Sequence, residues 1–173
     1  MTLLEFFRNG KPNAHGKMFL DILDYDDIQF EKKHNFIQWM FPIDTKSNWN
    51  WSSPILTATD IDALNNDTLA LEHIHLGIRR FMRFLGYDLV GRDIVKAENY
   101  NERVQAWVTK NNHNYKRISR FLRFAKMMGG EVEIIAKNFV STQLSDLWEQ
   151  YKDIVGVDTV SYWSAAIGID IIN

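Results

Sequence analysis

Apolar residues recur along most of the chain at intervals of three and four positions, the spacing of one helical face. The clearest stretches run from about Asp67 to Leu85 and from about His113 to Met128. Gly86 and Gly129 follow them directly, and glycine commonly ends a helix because it adopts a left-handed backbone without steric cost. The pattern therefore predicts two long amphipathic helices with defined ends.

Shorter runs with the same spacing predict further helices. These segments are 3–7, 18–23, 27–41, a capping-box start at Thr57 and Asp60, 99–110, 131–151 as one helix, and about 158–167. Residues 87–95 (YDLVGRDIV) predict a small hairpin or an extended loop. The fold class expected is all-α, a single domain over residues 1–173 with six to eight helices and little or no β structure.

Composition narrows the class of protein. Hydrophobic residues make up 46% of the chain and include six Trp and eleven Phe, enough for an aromatic core. The absence of cysteine excludes disulfides, thiolate metal sites and a cysteine nucleophile. The N-terminus lacks the pattern of a signal peptide, and no window reaches the ~20 apolar residues of a membrane span. We expect an intracellular, cytoplasmic protein with no membrane association.

The segment EKKHNFIQWMFP, residues 31–42, combines a wide apolar arc with a narrow polar stripe. On a continuous helix His34 and Gln38 lie one turn apart, with Glu31 one turn before. One interpretation is a row of buried polar side chains that form hydrogen bonds with the neighbouring backbone. The other is a pocket wall in which His34, Gln38 and the adjacent Trp39 contact a ligand. A third and weaker hypothesis is a hydrolase with His34 as general base.

Basic residues mark one side of each long helix. On the helix from 113 to 128 the basic residues lie opposite the apolar arc. On the helix from 67 to 85 they share one face at four-residue spacing. The two sets are Lys116, Arg120, Arg123 and Lys126, and His75, Arg79 and Arg83. Solvated surface is one interpretation, and nucleic-acid binding through both faces is the alternative. The net charge of −2 gives no general attraction to nucleic acid.

Arg117 falls inside the apolar arc of its helix and needs a partner, because an unpaired buried charge is costly. Glu98 and Glu102 are the expected partners in a structural ion pair. The alternative is a polar cavity that takes an anionic ligand. The candidate ligand-binding residues of this second region are Arg103, His113, Asn114, Arg117 and Arg120.

Motifs of other chemistries are missing from the sequence. Without HExxH, GxxxxGK[ST], GxGxxG or GxSxG, we expect no metal, no cofactor and no nucleotide held by a phosphate loop. Trp49 and Trp51 flank Asn50 in a segment without a clear period. These two indoles either stack on a base or an aromatic ligand or, as we favour here, pin the loop to the core.

Four blocks of the chain resemble the opioid growth factor receptor conserved domain. They are HNFIQWMFP, NWNWSSPILTATDIDAL, AENYNERVQAW and NNHNYKRISRFLRFAKMMG, which occur in the order of that family and lie within residues 4–150. The resemblance implies the fold and a binding role, with a nuclear location if the source is eukaryotic. Together with the polar residues at semi-buried positions, it favours a non-enzymatic ligand-binding domain whose ligand is a peptide or a small anionic molecule.

Overall fold

The computed structural model describes residues 1–172 and divides into two compact units, Met1–Arg80 and Phe81–Asn173. Helices dominate both units, and the only extended ladder in the described chain is a two-stranded hairpin. The predicted mostly α fold is therefore confirmed. The helical segments outnumber the six to eight predicted, because several are only four to six residues long.

The first unit is built from short helices and the first part of a long one. They are α1 (Leu3–Phe7), α2 (Phe19–Leu23), α3 (Asp27–Lys32), α4 (Ile37–Met40), α5 (Ala58–Asn65) and α6 (Thr68–Leu85). At the start of α5, the hydroxyl of Thr57 accepts the Asp60 N–H at 3.2 Å, and the Asp60 carboxylate accepts the Thr57 N–H at 3.0 Å. This reciprocal pair is the capping box predicted from the sequence.

Aromatic rings fill the core of the first unit. The ring of Phe6 lies 5.6 Å from that of Phe19 and 5.3 Å from that of Trp39, both edge to face. His73 Nδ1 lies 2.6 Å from the Phe7 carbonyl oxygen and ties α6 to α1. Gly77 allows α6 to approach, because a Cβ there would lie 3.2 Å from Phe19 Cζ. Large aromatic rings and the absence of a side chain at Gly77 thus set the packing of α6 within this unit.

The predicted continuous helix over 27–41 is wrong. Helix α3 ends at Lys32, Lys33 is extended with φ −82° and ψ 135°, and α4 begins only at Ile37. The break lets the rings of Phe30 and Phe36 pack with centroids 4.6 Å apart. On an unbroken helix these two residues would point about 120° apart. Burial of both rings on one side therefore overrides the helical pattern.

The second unit contains the hairpin and the remaining helices. They are β1 (Tyr87–Val90), β2 (Asp93–Lys96), α7 (Tyr100–Trp107), α8 (Asn114–Met128), α9 (Gly130–Phe139), α10 (Ser145–Val155) and α11 (Val157–Ile167). The strands pair antiparallel, with Tyr87 opposite Lys96 and Val90 opposite Asp93, around a turn in which Gly91 has φ 63°. Of the two alternatives expected for residues 87–95, a small hairpin or an extended loop, the structure forms the hairpin.

A π-helical turn, Val140–Leu144, joins α9 to α10 without a loop. The prediction of one helix over residues 131–151 is confirmed in its extent, and the π turn is an addition that the pattern did not indicate. A π turn holds one residue more than a regular turn. Buried residues still follow at intervals of four across this turn, at Val140, Leu144 and Trp148.

Two buried tryptophans fix the helices of the second unit through their indole N–H groups. Trp107 Nε1 donates to the Leu85 carbonyl at 2.8 Å, and Trp163 Nε1 donates to the Tyr115 carbonyl at 3.0 Å. Both indoles are fully buried. Because a buried donor without an acceptor is costly, these bonds specify where α7 and α11 pack.

Candidate ligand-binding site

A small cleft opens in the first unit, where the backbone between the short helices is irregular. Its volume is about 130 Å³. The lining consists of Asn13, His15, Lys17, Ile22, Tyr25, Lys33, Asn35 and Phe36. The lining contains two lysines and a histidine but no carboxylate, so its side chains are complementary to an anion.

The segment 13–17 forms one wall and is held by a single buried side chain. Asn13 Oδ1 accepts the backbone N–H of His15 at 2.9 Å and that of Lys17 at 3.1 Å. The backbone closes the same turn, since the Asn13 N–H donates to the Lys17 carbonyl at 2.8 Å. Asn13 is 6% exposed. The side chains of His15 and Lys17 therefore project from a turn whose conformation is fixed by internal hydrogen bonds.

Tyr25 also lines the cleft, and Arg80 of α6 holds its backbone. The guanidinium donates to the Tyr25 carbonyl from Nη2 at 2.7 Å and to the Asp27 carboxylate at 2.9 Å, with its Cζ 4.2 Å from the centre of the Phe30 ring. Burial raises the pKa of Tyr25, and the charge of Asp21 adds to the effect. The phenol therefore stays protonated at neutral pH and can donate a hydrogen bond.

Two lysines bring positive charge to the cleft. Lys33 Nζ lies 5.0 Å from the centre of the Tyr25 ring, a cation–π distance that keeps the ammonium group on this wall. Lys17 is exposed, and no ion pair of Lys17 is formed within residues 1–172. An ammonium group without a carboxylate partner keeps its full charge for a ligand.

The loop that carries Trp49 and Trp51 borders this cleft. Trp49 is 94% exposed and Trp51 82% exposed, so the prediction that they pin the loop to the core is wrong. Polar contacts order the loop instead. Asn50 Oδ1 accepts the Ser52 hydroxyl at 2.7 Å, and Ser52 Oγ lies 3.0 Å from His15 Nε2 on the cleft lining. Both indoles are therefore exposed to solvent on a loop that contacts the cleft lining through Ser52.

The sequence-predicted residues of the first unit lie beside the cleft lining in sequence but are not part of it. His34 is exposed and sits between Lys33 and Asn35, both of which line the cleft. Because the helix is broken before Ile37, the predicted stripe of Glu31, His34 and Gln38 on one continuous helix does not form. Trp39 is 3% exposed and belongs to the core.

Two buried polar atoms accompany those residues. Gln38 Oε1 and Trp39 Nε1 have no hydrogen-bond partner within residues 1–172. Buried polar atoms are normally hydrogen-bonded to protein or to water. The role of His34 as a ligand contact or as the general base of a hydrolase stays a prediction.

The predicted residues of the second unit are mostly buried. Arg103 is 9% exposed, and its Nε donates to the Phe84 carbonyl at 2.6 Å while Cζ lies 4.6 Å from the centre of the Phe84 ring. Arg117 is 5% exposed and donates to the fully buried Asn114 Oδ1 at 3.1 Å. His113 directly precedes α8. The structure thus brings Arg117 and Asn114 together inside α8.

The carboxylates expected to pair with Arg117 lie elsewhere on the surface. Glu98 and Glu102 are both exposed, whereas Arg117 is buried. The amide oxygen of Asn114 accepts a hydrogen bond from this guanidinium.

The basic helix faces are partly neutralised or buried. Lys126 pairs with Glu133 at 2.9 Å, and Arg83 pairs with Asp88 at 2.6 Å. Burial lowers the pKa of Arg120 to about 10, with a smaller contribution from the charge of Arg123. Ion pairs and burial both reduce the field available to a phosphate backbone. Nucleic-acid binding through these faces stays a prediction without support from this arrangement.

A larger cleft of about 290 Å³ lies in the second unit. It is lined by Asn111, Asn112, Tyr115, Lys116, Ser119, Asp158, Thr159 and Tyr162. Lys116 and Asp158 carry opposite charges, so the lining is close to neutral. The smaller cleft in the first unit is therefore the stronger candidate for an anionic ligand.

Sequence reasoning missed most of the first-unit cleft. Lys17 and Lys33 are sixteen positions apart. Lys17 lies outside the predicted helices and Lys33 lies within the predicted helix over residues 27–41, so no pattern places them together. The sequence indicates Trp49 and Trp51 as candidate stacking residues, but it does not predict that both are exposed. Within residues 1–172, no cluster of His, Asp or Glu is arranged to hold a metal ion, and no helix is long and apolar enough to cross a bilayer.

Comparison with known proteins identifies the family. The model of the opioid growth factor receptor conserved region matches residues 2–169. Over 139 residues the chain is 26% identical to mouse opioid growth factor receptor-like protein 1, covering 76% of this chain and 29% of that protein. Against the rat opioid growth factor receptor it is 28% identical over 142 residues, covering 76% and 23% of the two chains.

The human opioid growth factor receptor is 30% identical over 139 residues, covering 74% of this chain and 20% of that one. The chain thus spans less than a third of the length of these relatives. No solved structure matches it at a significant level. Since the family model covers nearly the whole chain, the protein belongs to the opioid growth factor receptor conserved-region family.

Proposed function

We propose that this protein is a non-enzymatic ligand-binding domain whose ligand is a small anionic molecule. The observation that carries the proposal is the cleft in the first unit, whose lining includes two lysines and a histidine but no carboxylate. Family membership supports a binding role, since curated relatives are named as receptors. The ligand of those relatives is not assumed for this chain.

The size of the cleft limits what it can hold. A volume of about 130 Å³ accommodates a small anion such as pyrophosphate, or the phosphate or carboxylate group of a larger ligand. Lys17 and Lys33 would supply charge-assisted hydrogen bonds, and the neutral Tyr25 hydroxyl would supply a further donor. The turn at Asn13 is already ordered by its own hydrogen bonds, so little conformational entropy would be lost on binding.

Calorimetric titration with inorganic pyrophosphate tests the proposal directly. The probe carries the anionic chemistry alone, without any organic group. We expect saturable binding to the full chain and a loss of roughly tenfold or more in affinity for the double variant Lys17→Gln, Lys33→Gln, because charge-assisted hydrogen bonds are lost. The control is Lys110→Gln, which removes one exposed lysine of the second unit.

Two outcomes would count against the proposal. No binding of pyrophosphate at low ionic strength would contradict it. So would binding that is the same in the lysine double variant and in the unchanged protein. A carboxylate-ended peptide that binds tightly and ignores both lysines would instead favour a peptide-binding function at another surface.

A further inference from the structure

The two exposed tryptophans stand apart from the other four. Trp49 and Trp51 are 94% and 82% exposed, whereas Trp39, Trp107, Trp148 and Trp163 are at most 8% exposed. An indole in water leaves a large flat apolar face uncovered. Each of the two indoles therefore offers a face on which a planar ring can stack.

The backbone of this loop is held in place independently of its indoles. Ser47 Oγ accepts the backbone N–H groups of Trp49 at 3.3 Å and of Asn50 at 3.2 Å. At the base of the loop, the Leu56 N–H donates to the Ile43 carbonyl at 2.9 Å. Because hydrogen bonds order the backbone, the positions from which the indoles project are defined before any ligand arrives, which removes the backbone part of the entropic cost of stacking.

The loop and the anion cleft are neighbours. Ser52, next to Trp51 in the chain, places its hydroxyl 3.0 Å from His15 Nε2, and His15 lines the cleft with Lys17 and Lys33. Consecutive Cα atoms lie about 3.8 Å apart, so the indole of Trp51 starts within one residue of this contact. Aromatic faces and positive charges therefore occur side by side in the first unit.

We propose that the ligand is a nucleotide, with its base stacked on the indoles of Trp49 and Trp51 and its phosphate in the cleft at Lys17 and Lys33. This inference rests on the proposed anion binding and adds the aromatic half of the ligand. Stacking tolerates any base, since every base has a π face. The nucleotide is either free or one unit of a single strand.

A pair of probes separates the base from the phosphate. Adenosine monophosphate and ribose 5-phosphate carry the same phosphate, and only the first carries a base. We expect the full chain to bind adenosine monophosphate about fivefold to a hundredfold more tightly, the range that stacking on an aromatic side chain supplies. Tryptophan fluorescence should be quenched on binding, because the exposed indoles are those that the base covers.

Variants of the loop complete the test. In the double variant Trp49→Ala, Trp51→Ala, affinity for adenosine monophosphate should fall to that for ribose 5-phosphate, and ribose 5-phosphate affinity should not change. The matched control is Tyr162→Ala, which removes an aromatic residue that is 69% exposed in the second unit. It should bind both probes as the unchanged protein does.

The outcomes distinguish this inference from the function on which it rests. Equal affinity for the two probes, or a base preference that survives loss of both indoles, overturns the nucleotide assignment and leaves anion binding intact. Failure of pyrophosphate and both sugar phosphates to bind overturns both. A short oligoadenylate that binds more tightly than the mononucleotide, with strong salt dependence, identifies a single strand as the source, and equal binding identifies a free nucleotide.

Discussion

His15 Nε2 and the Ser52 hydroxyl lie 3.0 Å apart although 37 positions separate them in the chain. The contact joins the turn that carries Lys17 to the loop that displays Trp49 and Trp51. Ser52 also donates to Asn50 Oδ1 at 2.7 Å, so one hydroxyl connects the cleft lining to the internal bonding of the loop. The relative placement of the positive and aromatic parts of the proposed site therefore depends on one small side chain.

Replacing Ser52 with alanine should uncouple the two parts. We expect affinity for adenosine monophosphate to fall about threefold to tenfold, the value of one or two modest hydrogen bonds, while pyrophosphate affinity stays unchanged. Parallel calorimetric titrations measure both. Ser161→Ala, at an exposed serine of α11, is the control. An equal loss for both ligands would show that Ser52 acts on the cleft itself.

Asn13→Asp should weaken anion binding without unfolding the turn. An aspartate keeps an oxygen that can accept the N–H groups of His15 and Lys17, but it adds a negative charge to the lining. At a separation of several Å this repulsion lowers pyrophosphate affinity roughly tenfold. Asn111→Asp, in the other cleft, is the matched charge control. A variant with unchanged melting temperature and unchanged affinity would contradict the assignment of Asn13 to the site.

Gly86→Ala should destabilise the protein far more than Gly91→Ala. Gly86 has φ 101°, and a Cβ there would lie 3.0 Å from Tyr100 Cα, whereas Gly91 has φ 63° and open space around it. We expect a loss of about 1 kcal/mol at Gly91 from backbone strain alone and of about 3 kcal/mol or more at Gly86, where a steric clash adds to it. Urea unfolding measures both losses of stability, provided that the m-value is the same in the two variants and the unchanged protein. Equal losses would mean that Tyr100 moves away without cost.

Alkaline pH should destabilise the second unit through Tyr115. Burial raises the pKa of this phenol from 10 to about 12, and its hydroxyl donates to the Thr109 carbonyl at 2.7 Å. Between pH 10 and 12 the unfolded chain loses this proton before the folded chain does. The contribution of Tyr115 to the free energy of unfolding is therefore complete below pH 10 and is lost as pH rises toward 12.

Tyr115→Phe isolates this effect, because phenylalanine does not ionise. The free energy of unfolding of the variant should fall less steeply with pH across that window than that of the unchanged protein. Urea unfolding at a series of alkaline pH values gives both slopes. Tyr162→Phe, at an exposed position, should leave the slope as it was. Parallel curves for all three proteins would remove Tyr115 as the cause.

The parts of the fold that sequence predicted are those with strong periodicity and clear ends. Helices α6 and α8 follow apolar residues at three and four and stop at Gly86 and Gly129. The break between α3 and α4 was missed because no proline or glycine marks it. Packing of Phe36 on Phe30 and Tyr25, at 4.6 and 5.9 Å, decides that backbone, and such contacts are not encoded in a local pattern.

The sequence predicted the chemistry of the candidate site but not most of the residues that line it. Sequence indicated an anion and a residue near position 34, and Lys33 and Asn35 on either side of His34 line the cleft. The lysine at 17 comes from a turn fixed by Asn13, and exposure of Trp49 and Trp51 follows from polar bonds within their loop. Both depend on contacts between irregular segments, for which the helical period gives no guide.

The five-residue π segment at Val140–Leu144 bears on how relatives of this chain can differ in length. Because a π turn holds one residue more than a regular turn, removing one residue there would let the backbone wind as an ordinary α-helix and leave the downstream residues close to their present orientation. Leu147 and Trp148, now buried, would stay on the buried face of the helix. A homologue that lacks one residue in this stretch should therefore keep the same order of apolar side chains in the following helix, and a single-residue difference in length should be tolerated here better than elsewhere in the helix.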